Sequence, residues 1–358
     1  SPQAILPRLG ERLGFLTGGP RDLPERQRTL RATIDWSYDL LDACERALLN
    51  RLSVFAGGRT LQAIEAVALE PSFTGSALDL VGSLVDQSLL AQRADDAAQA
   101  DGEPRFTMLE TIRAYAAERL DESGEADAVR WRHALFYLDL AQEAEPALHR
   151  YGVEQAAWMD RLEREQDNLH AALDWTLSGG DVELGLHLAL SLGRFWEIGL
   201  WHDQGRAWLA RALEAGAARA SGYGADGGDL WTPLRARALN WAGTLAMYSD
   251  PGAAAALQRE SLALWQETGD VQGTGYTLCE LGMAERMLGD LDTAEERMQA
   301  GIVMLRQAQD TLSLARALYW YATIPLLRGD YERARSLANE SAQLSRHIGA
   351  LAHTATCL

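Results

Sequence analysis

Hydrophobic side chains recur at three- and four-residue steps over most of this chain, which is the spacing of amphipathic helices. The first such stripe, Leu30, Ile34, Tyr38 and Leu41, follows Pro24 and predicts a helix from about residue 26. The same criterion predicts three more helices, at 44–55, 60–68 and 76–86. The beginning of the sequence is therefore predicted to be a group of short helices.

The period then changes to that of β-strands. Residues 88–93 and 105–109 read as two short strands on either side of a polar tip, Ala94 to Pro104. A helix is predicted from Glu110 to about Leu120, with Gly124 after it. Helices, then a hairpin, then a helix is the order of a winged-helix domain, predicted at residues 25–124. A different free-standing α+β domain is the alternative.

The last third of the sequence repeats. Gly289-Asp290 recurs as Gly329-Asp330, a step of 40 residues, and Ala294 recurs as Ala334. Each unit reads as helix, tight turn and helix, and a repeat of this length indicates a solenoid because one helical hairpin cannot bury its own apolar face. The predicted fold class is mainly α: a winged helix followed by a right-handed, tetratricopeptide-like superhelix. We expect a first helical-repeat segment at 125–214, a flexible loop at 215–230 and regular repeats at 231–358.

Composition narrows the chemistry. The 358 residues carry 51 acids against 33 bases, a formal charge of −18, and every base is Arg. Without Lys the chain has no Walker A phosphate loop and no Schiff-base nucleophile. Cys44, Cys279 and Cys357 show no metal-ligand or disulfide spacing, which favours a reducing cytoplasm. No apolar stretch reaches the length of a membrane helix.

No catalytic or metal-binding constellation is recognisable. The seven His never adopt metal-ligand spacing, and neither a nucleophile elbow nor a dinucleotide fingerprint occurs. We therefore expect a chain that is not an enzyme and holds no metal or cofactor. Because the sequence starts without Met and stops inside a helical pattern, we also expect it to be part of a longer protein.

Three stretches carry a family resemblance: Asp22 to Leu41, Arg51 to Gly58 (RLSVFAGG) and Leu109 to Ala116 (LETIRAYA). They resemble the winged-helix region of bacterial STAND signal-transduction ATPases, the large transcriptional regulators of LuxR or SARP type. The resemblance implies an upstream NTPase module that binds ATP or ADP, then a helical subdomain whose tail would be residues 1–24. It also implies that DNA is contacted only through another domain.

The resemblance points to two sets of nucleotide-contacting positions. Related switches carry a Met-His-Asp motif after the hairpin, and the matching positions here are Met108, Leu109 and Glu110. Leu109 has no polar group and cannot donate a hydrogen bond to a phosphate, whereas Glu110 can still hold the next helix through its N-terminal amides. Arg28 and Arg31, within a basic cluster with Arg21 and Arg26, would contact nucleotide or the NTPase module. The alternative for these Arg is a solvated helix start.

DNA binding by the winged helix itself is not favoured. The candidate recognition helix, Arg59 to Glu70, has one Arg against Glu65 and Glu70. The first 124 residues hold 19 acids and 13 Arg, a net of −6. DNA affinity comes mostly from neutralising phosphates, which an acidic surface does not do.

Tryptophans mark a candidate effector site. Four of the 11 Trp crowd one short stretch, with charged residues among them. The predicted effector- or partner-binding residues are Trp175, Trp196, Trp201, Trp208, Arg194 and His202. The alternative is that these Trp fill the core between stacked helices.

The leading hypothesis combines these signals. The chain is interpreted as the regulatory and sensor segment of a STAND-type transcriptional regulator. The repeats would bind a protein or small-molecule effector, and the winged helix would relay occupancy to the NTPase module in cis. The other hypothesis is a passive protein-interaction scaffold without nucleotide coupling.

Overall fold

The structure is a computed structural model that describes residues 30–69, 76–93, 104–150, 152–220 and 228–349. Several predictions therefore lie outside the described residues: the 1–24 tail, Arg21, Arg26 and Arg28, most of the hairpin tip and Cys357. The chain forms two compact units. The first comprises residues up to Tyr137 together with Arg164–Ala172, and the second comprises Leu138–Glu163 and the residues from Leu173 onward.

The first unit contains the predicted order of helices, hairpin and helix. Its elements up to residue 123 are α1 (Leu30–Asp39), α2 (Ala43–Arg51), β1 (Arg59–Thr60), α3 (Leu61–Ala68), α4 (Ala77–Asp86), β2 (Ala91–Gln92), β3 (Arg105–Thr107) and α5 (Glu110–Ser123). A short 3-10 turn, Leu52–Val54, extends α2. The two predicted strands are shorter than expected, and β1 was not predicted.

The three strands form one small antiparallel sheet in the order β1-β3-β2. Arg59 pairs with Phe106 across β1 and β3, and Ala91 pairs with Thr107 across β2 and β3. Because β1 lies between α2 and α3, it holds the helices against the hairpin. This topology is that of a winged helix.

Capping residues fix where the short helices start. Asp42 and Glu45 form a capping box at α2, and the Thr60 and Ser76 hydroxyls accept hydrogen bonds from backbone amides in the first turns of α3 and α4. The apolar stripes of α2 to α5 meet in a core around Leu48, Phe55 and other fully buried side chains. The stripes read from the sequence therefore do form this core.

From Ala126 the described residues form helices joined by turns. These helices are α6 (Ala126–Leu148), α7 (Val153–Arg164), α8 (Gln166–Leu177), α9 (Val182–Ser191), α10 (Gly193–Ile198), α11 (His202–Ala220), α12 (Gly228–Ala246), α13 (Pro251–Thr268), α14 (Val271–Met287), α15 (Leu291–Gln307), α16 (Thr311–Leu327) and α17 (Tyr331–His347). Helix α11 extends to Ala220, so the segment predicted as a loop from residue 215 begins as helix.

Helices α12 to α17 pair as three hairpins and stack as repeats, in agreement with the 40-residue period. Five of these helices begin at an Asp whose side chain accepts a backbone hydrogen bond three residues later. These N-caps are spaced every 20 residues, at Asp250, Asp270, Asp290, Asp310 and Asp330. A helix start is therefore marked at each half-repeat.

The residue before four of those Asp has a positive φ. It is glycine at Gly269 (φ 73°), Gly289 (φ 90°) and Gly329 (φ 81°), where the left-handed conformation has no steric cost. At the corresponding position of the remaining turn, Gln309 adopts the same conformation with φ 57°. The turn geometry is therefore maintained along the stack even where the glycine is missing.

Small side chains let the paired helices approach closely. A Cβ on Gly282 would lie 2.8 Å from Met298 Cγ and 3.0 Å from the Ala294 carbonyl oxygen. A continuous apolar core runs through the hairpins, with Leu281, Leu305, Leu318 and Ile324 fully buried. The predicted fold class, a winged helix followed by tetratricopeptide-like stacked helices, is confirmed. In the described part of the chain, no helix is long and apolar enough to cross a membrane.

Candidate functional site

A cavity of about 460 Å³ opens in the second unit. It lies where the first turns of α14 and α16 meet the middle of α12 and the end of α6. Its lining combines charged and aromatic side chains, among them Glu145, His149, Arg237, Trp241, Trp265 and Arg316. Ligand pockets of this size commonly pair an aromatic wall with a few polar groups.

Two glycines position the aromatic wall. A Cβ on Gly193 would lie 2.4 Å from the Trp241 ring, and a Cβ on Gly273 would lie 2.5 Å from the Trp265 ring. Each indole therefore rests directly on a backbone, which fixes its ring plane. Trp241 and Trp265 belong to different helices of the first hairpin, α12 and α13.

Behind the cavity wall lies a network of four charged side chains, of which Arg194 and Glu280 are buried and Glu197 and Arg316 are half-buried. Arg194 Nη1 donates to Glu197 Oε2 at 2.7 Å. Arg316 Nη2 lies between two carboxylates, 3.8 Å from Glu197 Oε1 and 3.6 Å from Glu280 Oε1. Arg316 Nη1 also donates to the Tyr276 hydroxyl at 3.3 Å. Arg316 is thus the member of the network that lines the cavity.

The two carboxylates of this network are shifted in opposite directions. Burial by itself raises the pKa of Glu197, but the guanidinium groups of Arg316 and Arg194 outweigh it and hold that pKa below its usual value. Burial also raises the pKa of Glu280, and there Arg316 offsets only part of the effect. Arg194 and Arg316 therefore stabilise the charged form of Glu197 more fully than Arg316 stabilises that of Glu280.

Two further cavity side chains have shifted pKa values. Burial, reinforced by the positive charges of Arg194 and Arg316, lowers the pKa of His149 to about 4, so this imidazole is neutral at neutral pH. Burial raises the pKa of Glu145, and the nearby Arg237 opposes that shift. A cavity carboxylate is thus held in surroundings that stabilise its charge poorly.

The Trp predicted to bind an effector do not line this cavity. Trp196 is 1% exposed and belongs to the core, as the alternative interpretation expected. Trp201 packs on Phe195 with ring centroids 4.6 Å apart, and Trp208 lies under Arg211 at 4.6 Å. Trp175 is half-buried and packs over Gly180. A binding role for these four Trp remains a prediction.

Of the two polar residues predicted beside them, Arg194 contributes to the buried network behind the cavity. Its Nε also donates to the Leu148 carbonyl at 3.5 Å. His202 is half-buried at the first residue of α11 and does not line the cavity. The sequence signal that could have found the cavity is the alignment of polar and aromatic residues at the starts of α14 and α16, where Asp270 and Asp310 occupy equivalent repeat positions.

The first unit contains a separate buried polar cluster. Arg105 on β3 forms an ion pair with Glu165, and the two side chains are only 9% and 6% exposed. The other carboxylate oxygen of Glu165 accepts hydrogen bonds from Tyr137 at 2.8 Å and Asn168 at 2.9 Å. Asn168 also accepts from the Ala56 amide at 3.0 Å. Residues 164–172 are thereby tied to the winged helix by hydrogen bonds.

The predicted nucleotide-contacting residues have these surroundings. Leu109 is 69% exposed at the N-cap position of α5 and lines a small apolar cavity with Met108 and Thr107. Glu110 pairs with Arg113 at 2.7 Å in the first turn of α5. Arg31 donates to Glu118 at 2.7 Å and lies 5.8 Å over the Tyr115 ring. Nucleotide contact by these residues remains a prediction, and Arg28 lies outside the described residues.

The prediction that residues 59–70 form the recognition helix was wrong. In a helix-turn-helix pair the second helix enters the major groove, and here that pair is α3 and α4, so the position belongs to Ala77–Asp86 rather than to residues 59–70. Arg59, the one base expected on that helix, is 0% exposed and donates to the Leu52 carbonyl at 2.9 Å. Helix α4 (ALDLVGSLVD) contains no base, and Asp79 and Asp86 are exposed on it.

Metal coordination requires several ligand side chains that converge on one point. Among the described residues, no group of three or more His, Cys, Asp or Glu side chains is arranged to hold a metal ion. The chemistry that the described polar clusters offer is ion pairing and hydrogen bonding.

A winged helix-turn-helix domain followed by stacked helical hairpins defines this chain, and residues 41–121 match the winged helix-turn-helix domain family. The chain is 34% identical, over 98% of its length, to a Mycobacterium bovis protein named as an HTH-type transcriptional regulator. A Mycobacterium tuberculosis protein of the same designation matches equally. The chain spans 38% of the length of these relatives.

Two further likenesses cover different parts of the chain. An uncharacterized Mycobacterium bovis protein is 39% identical over 135 residues, which are 37% of this chain and 33% of that protein. The crystal structure of a STAND (signal transduction ATPase with numerous domains) protein with a tetratricopeptide repeat sensor, from Pyrococcus horikoshii, aligns with 95% of this chain and 55% of its own. That alignment has a TM-score of 0.41 and 14% identity.

Proposed function

We propose that this chain is the regulatory and sensor segment of a STAND-type transcriptional regulator. In this proposal the stacked hairpins bind an effector or partner in the cavity between α6, α12, α14 and α16. The winged helix couples that event to an NTPase module that precedes it in the longer protein. ATP or ADP binding and any hydrolysis are assigned to that module, not to these residues.

One observation supports the sensor role: a cavity lined by charged and aromatic side chains lies within the helical stack, and Arg316 links it to the charged network behind it. Removing a charged group such as Glu280 from water costs several kcal/mol before pairing. A few polar groups placed beside an aromatic wall are typical of small-molecule pockets. The cavity is lined by residues of all three hairpins, so a bound ligand would hold their spacing.

The regulatory role is supported by sequence likeness. The relatives named as HTH-type transcriptional regulators match nearly the whole chain, and the motifs at 22–41, 51–58 and 109–116 resemble STAND regulators. Because the chain spans 38% of those relatives, DNA contact is assigned to a part of the protein beyond this segment. The acidic exposed face of α4 agrees with that assignment.

The alternative function is a passive scaffold, in which the same surface docks a protein with no effect on nucleotide. A cavity that binds a partner is compatible with both functions. What separates them is whether occupancy changes the affinity of the NTPase module for its nucleotide, since coupling is a difference in binding free energy between two states.

The test uses the full-length regulator with Trp241→Ala or Arg316→Met, each of which alters the cavity. We expect both variants to change regulated transcription of a reporter and the rate of nucleotide release. The matched control is Trp158→Ala, which removes a half-buried Trp of the same unit that does not line the cavity. If the cavity variants behave like this control, the sensor role is wrong. If partner binding is lost while nucleotide release stays normal, the scaffold is supported instead.

A further inference from the structure

Two side chains of opposite charge face the cavity without a direct partner. Within the described residues, neither oxygen of Glu145 accepts a hydrogen bond or lies within 4.0 Å of a cationic nitrogen. Arg237, an exposed residue of α12, has no carboxylate of the described part of the chain within 4.0 Å. The two groups interact with one another only at longer range. Arg316, by contrast, is paired with carboxylates on the same side of the cavity.

The surroundings of Glu145 favour a cationic partner. The side chain is half-buried, and burial, opposed by Arg237, leaves the pKa of this carboxyl raised. An ammonium group at hydrogen-bond distance would supply the charge compensation that water and Arg237 supply incompletely. Arg237 in turn offers a planar set of donors to a carboxylate.

The aromatic wall requires an apolar portion in the same ligand. Trp241 lies on the same helix as Arg237, one turn further along, and Trp265 and Tyr276 continue the wall. An aliphatic or aromatic group lying on these rings would bury apolar surface between the two charged ends. A cavity of about 460 Å³ is within the range for a ligand of this size.

Charge then selects the class of ligand. A purely anionic ligand would meet Glu145 and the cap carboxylates Asp270 and Asp310. A purely cationic ligand would meet Arg237 and Arg316. A molecule that carries both charges matches Glu145 and Arg237, which have no close ionic partner among the described residues, and adds no net charge to the cavity.

We propose that the cavity binds a small zwitterion of the amino-acid or dipeptide type. Its ammonium group contacts Glu145, its carboxylate contacts Arg237, and its apolar side chain lies on Trp241 and Trp265. This inference rests on the proposed sensor function and specifies the effector class of the same site.

The experiment measures binding of leucyl-phenylalanine to the 358-residue chain by calorimetry and thermal shift. Two capped analogues, the N-acetyl and the C-terminal amide derivatives, each remove one charge. We expect the dipeptide to bind and to raise the melting temperature, and each cap to weaken binding about tenfold or more.

Variants assign each charge to its residue. In Glu145→Gln the free and N-acetylated dipeptides should bind equally, and in Arg237→Gln the free and amidated dipeptides should bind equally. The matched controls are Glu143→Gln, an exposed acid on the same helix, and Arg235→Gln, an Arg of α12 that pairs with Glu260. Both controls should keep the full discrimination between free and capped ligands.

The inference is overturned if leucyl-phenylalanine does not bind at millimolar concentration, or if the caps leave its affinity unchanged. It is also overturned if Glu145→Gln weakens free and acetylated ligands by the same factor. The capped ligands test the wild-type chain, so a variant that fails to fold does not prevent a decision. Should Trp241→Ala alter transcription while no zwitterion binds, the sensor function stands and the ligand class is wrong.

Discussion

Arg105 and Glu165 form an ion pair that is buried in the first unit and joins the hairpin strand β3 to the segment that begins α8. Tyr137 and Asn168 donate hydrogen bonds to the Glu165 carboxylate, and Arg105 also donates to the Gly58 carbonyl, so each charge has several partners. Sixty residues of sequence separate the two. Their contact makes residues 164–172 part of the same compact unit as the winged helix.

Breaking the Arg105–Glu165 ion pair should destabilise the first unit. We expect Glu165→Gln to lower the free energy of unfolding of the first unit by about 3 kcal/mol, because it leaves the Arg105 charge buried and uncompensated. Urea unfolding combined with hydrogen exchange of α5 amides measures the effect. Glu163→Gln, which changes an exposed acid two residues earlier, should have almost no effect.

The double variant Arg105→Met/Glu165→Leu tests the cause. Replacing both partners with apolar groups removes the uncompensated charge, and we expect it to recover most of the stability lost in Glu165→Gln. If the double variant is as unstable as Glu165→Gln, the loss of stability comes from side-chain packing and not from the uncompensated charge of Arg105.

His133 should make the first unit sensitive to acid. Burial, reinforced by the nearby Arg59 charge and opposed by a hydrogen bond with Asn168, lowers the pKa of His133 from 6.5 to about 3. The unfolded state therefore takes up a proton that the folded state does not. As pH falls from about 6.5 toward 3, stability should fall by about 1.4 kcal/mol per pH unit from this group.

The measurement compares the pH dependence of unfolding in the wild type and in His133→Phe. Phe keeps the ring contacts with Phe55 and Tyr137, whose centroids lie 5.1 and 4.8 Å away, but cannot be protonated. The variant should show a shallower loss of stability in acid. Equal slopes in wild type and His133→Phe would contradict the prediction.

A glycine at position 309 should make the second unit more stable. Gln309 adopts φ 57° where the equivalent positions carry glycine. We expect Gln309→Gly to stabilise the second unit, by no more than about 1 kcal/mol because the strain relieved is partly offset by the entropy of glycine in the unfolded chain. The converse change, Gly329→Gln, should destabilise it by about 1 kcal/mol. Thermal unfolding of both variants measures these effects. If Gln309→Gly is not more stable than the wild type and Gly329→Gln is not less stable, the turn tolerates side chains freely.

The winged helix should not bind DNA by itself. Helix α4 exposes Asp79 and Asp86 and contains no base, so we expect no salt-dependent affinity for duplex DNA in fluorescence anisotropy. Asp79→Arg/Asp86→Arg should create weak binding, and the logarithm of its affinity should fall against log salt with a slope of about −0.9 for each phosphate that is neutralised. A steep salt dependence in the wild-type chain would contradict this assignment.

The sequence alone predicted those elements of the fold that leave a periodic pattern of residues. The helices follow from apolar stripes such as Leu48, Leu52 and Phe55, because burial of one face imposes that spacing. The 40-residue repeat follows from the recurrence of Gly289-Asp290, because each such pair forms a turn and a helix cap. Strand β1 could not be predicted, since Arg59 and Thr60 make a strand only by pairing with β3. The helical course of residues 215–220 also contradicts local composition, because the small residues of that segment suggested a loop.

The candidate site was less accessible from the sequence. Four Trp clustered along the chain suggested a binding surface, yet the indoles that line the cavity are Trp241 and Trp265, which are 24 residues apart. The cavity is assembled from the starts of equivalent helices and from the end of α6, so its residues are distant in sequence. The burial of Arg59 could likewise not be predicted from the sequence, because Arg side chains are usually exposed.

The regular row of capping aspartates has an evolutionary consequence. Asp270 and Asp310 begin equivalent helices. A block of 40 residues between them could therefore be duplicated or deleted, and each remaining hairpin would still pack against a hairpin of the same kind. Gene duplication in this register would lengthen the array by whole modules. Proteins of this architecture can in this way vary their recognition surface while inheriting an unchanged winged helix.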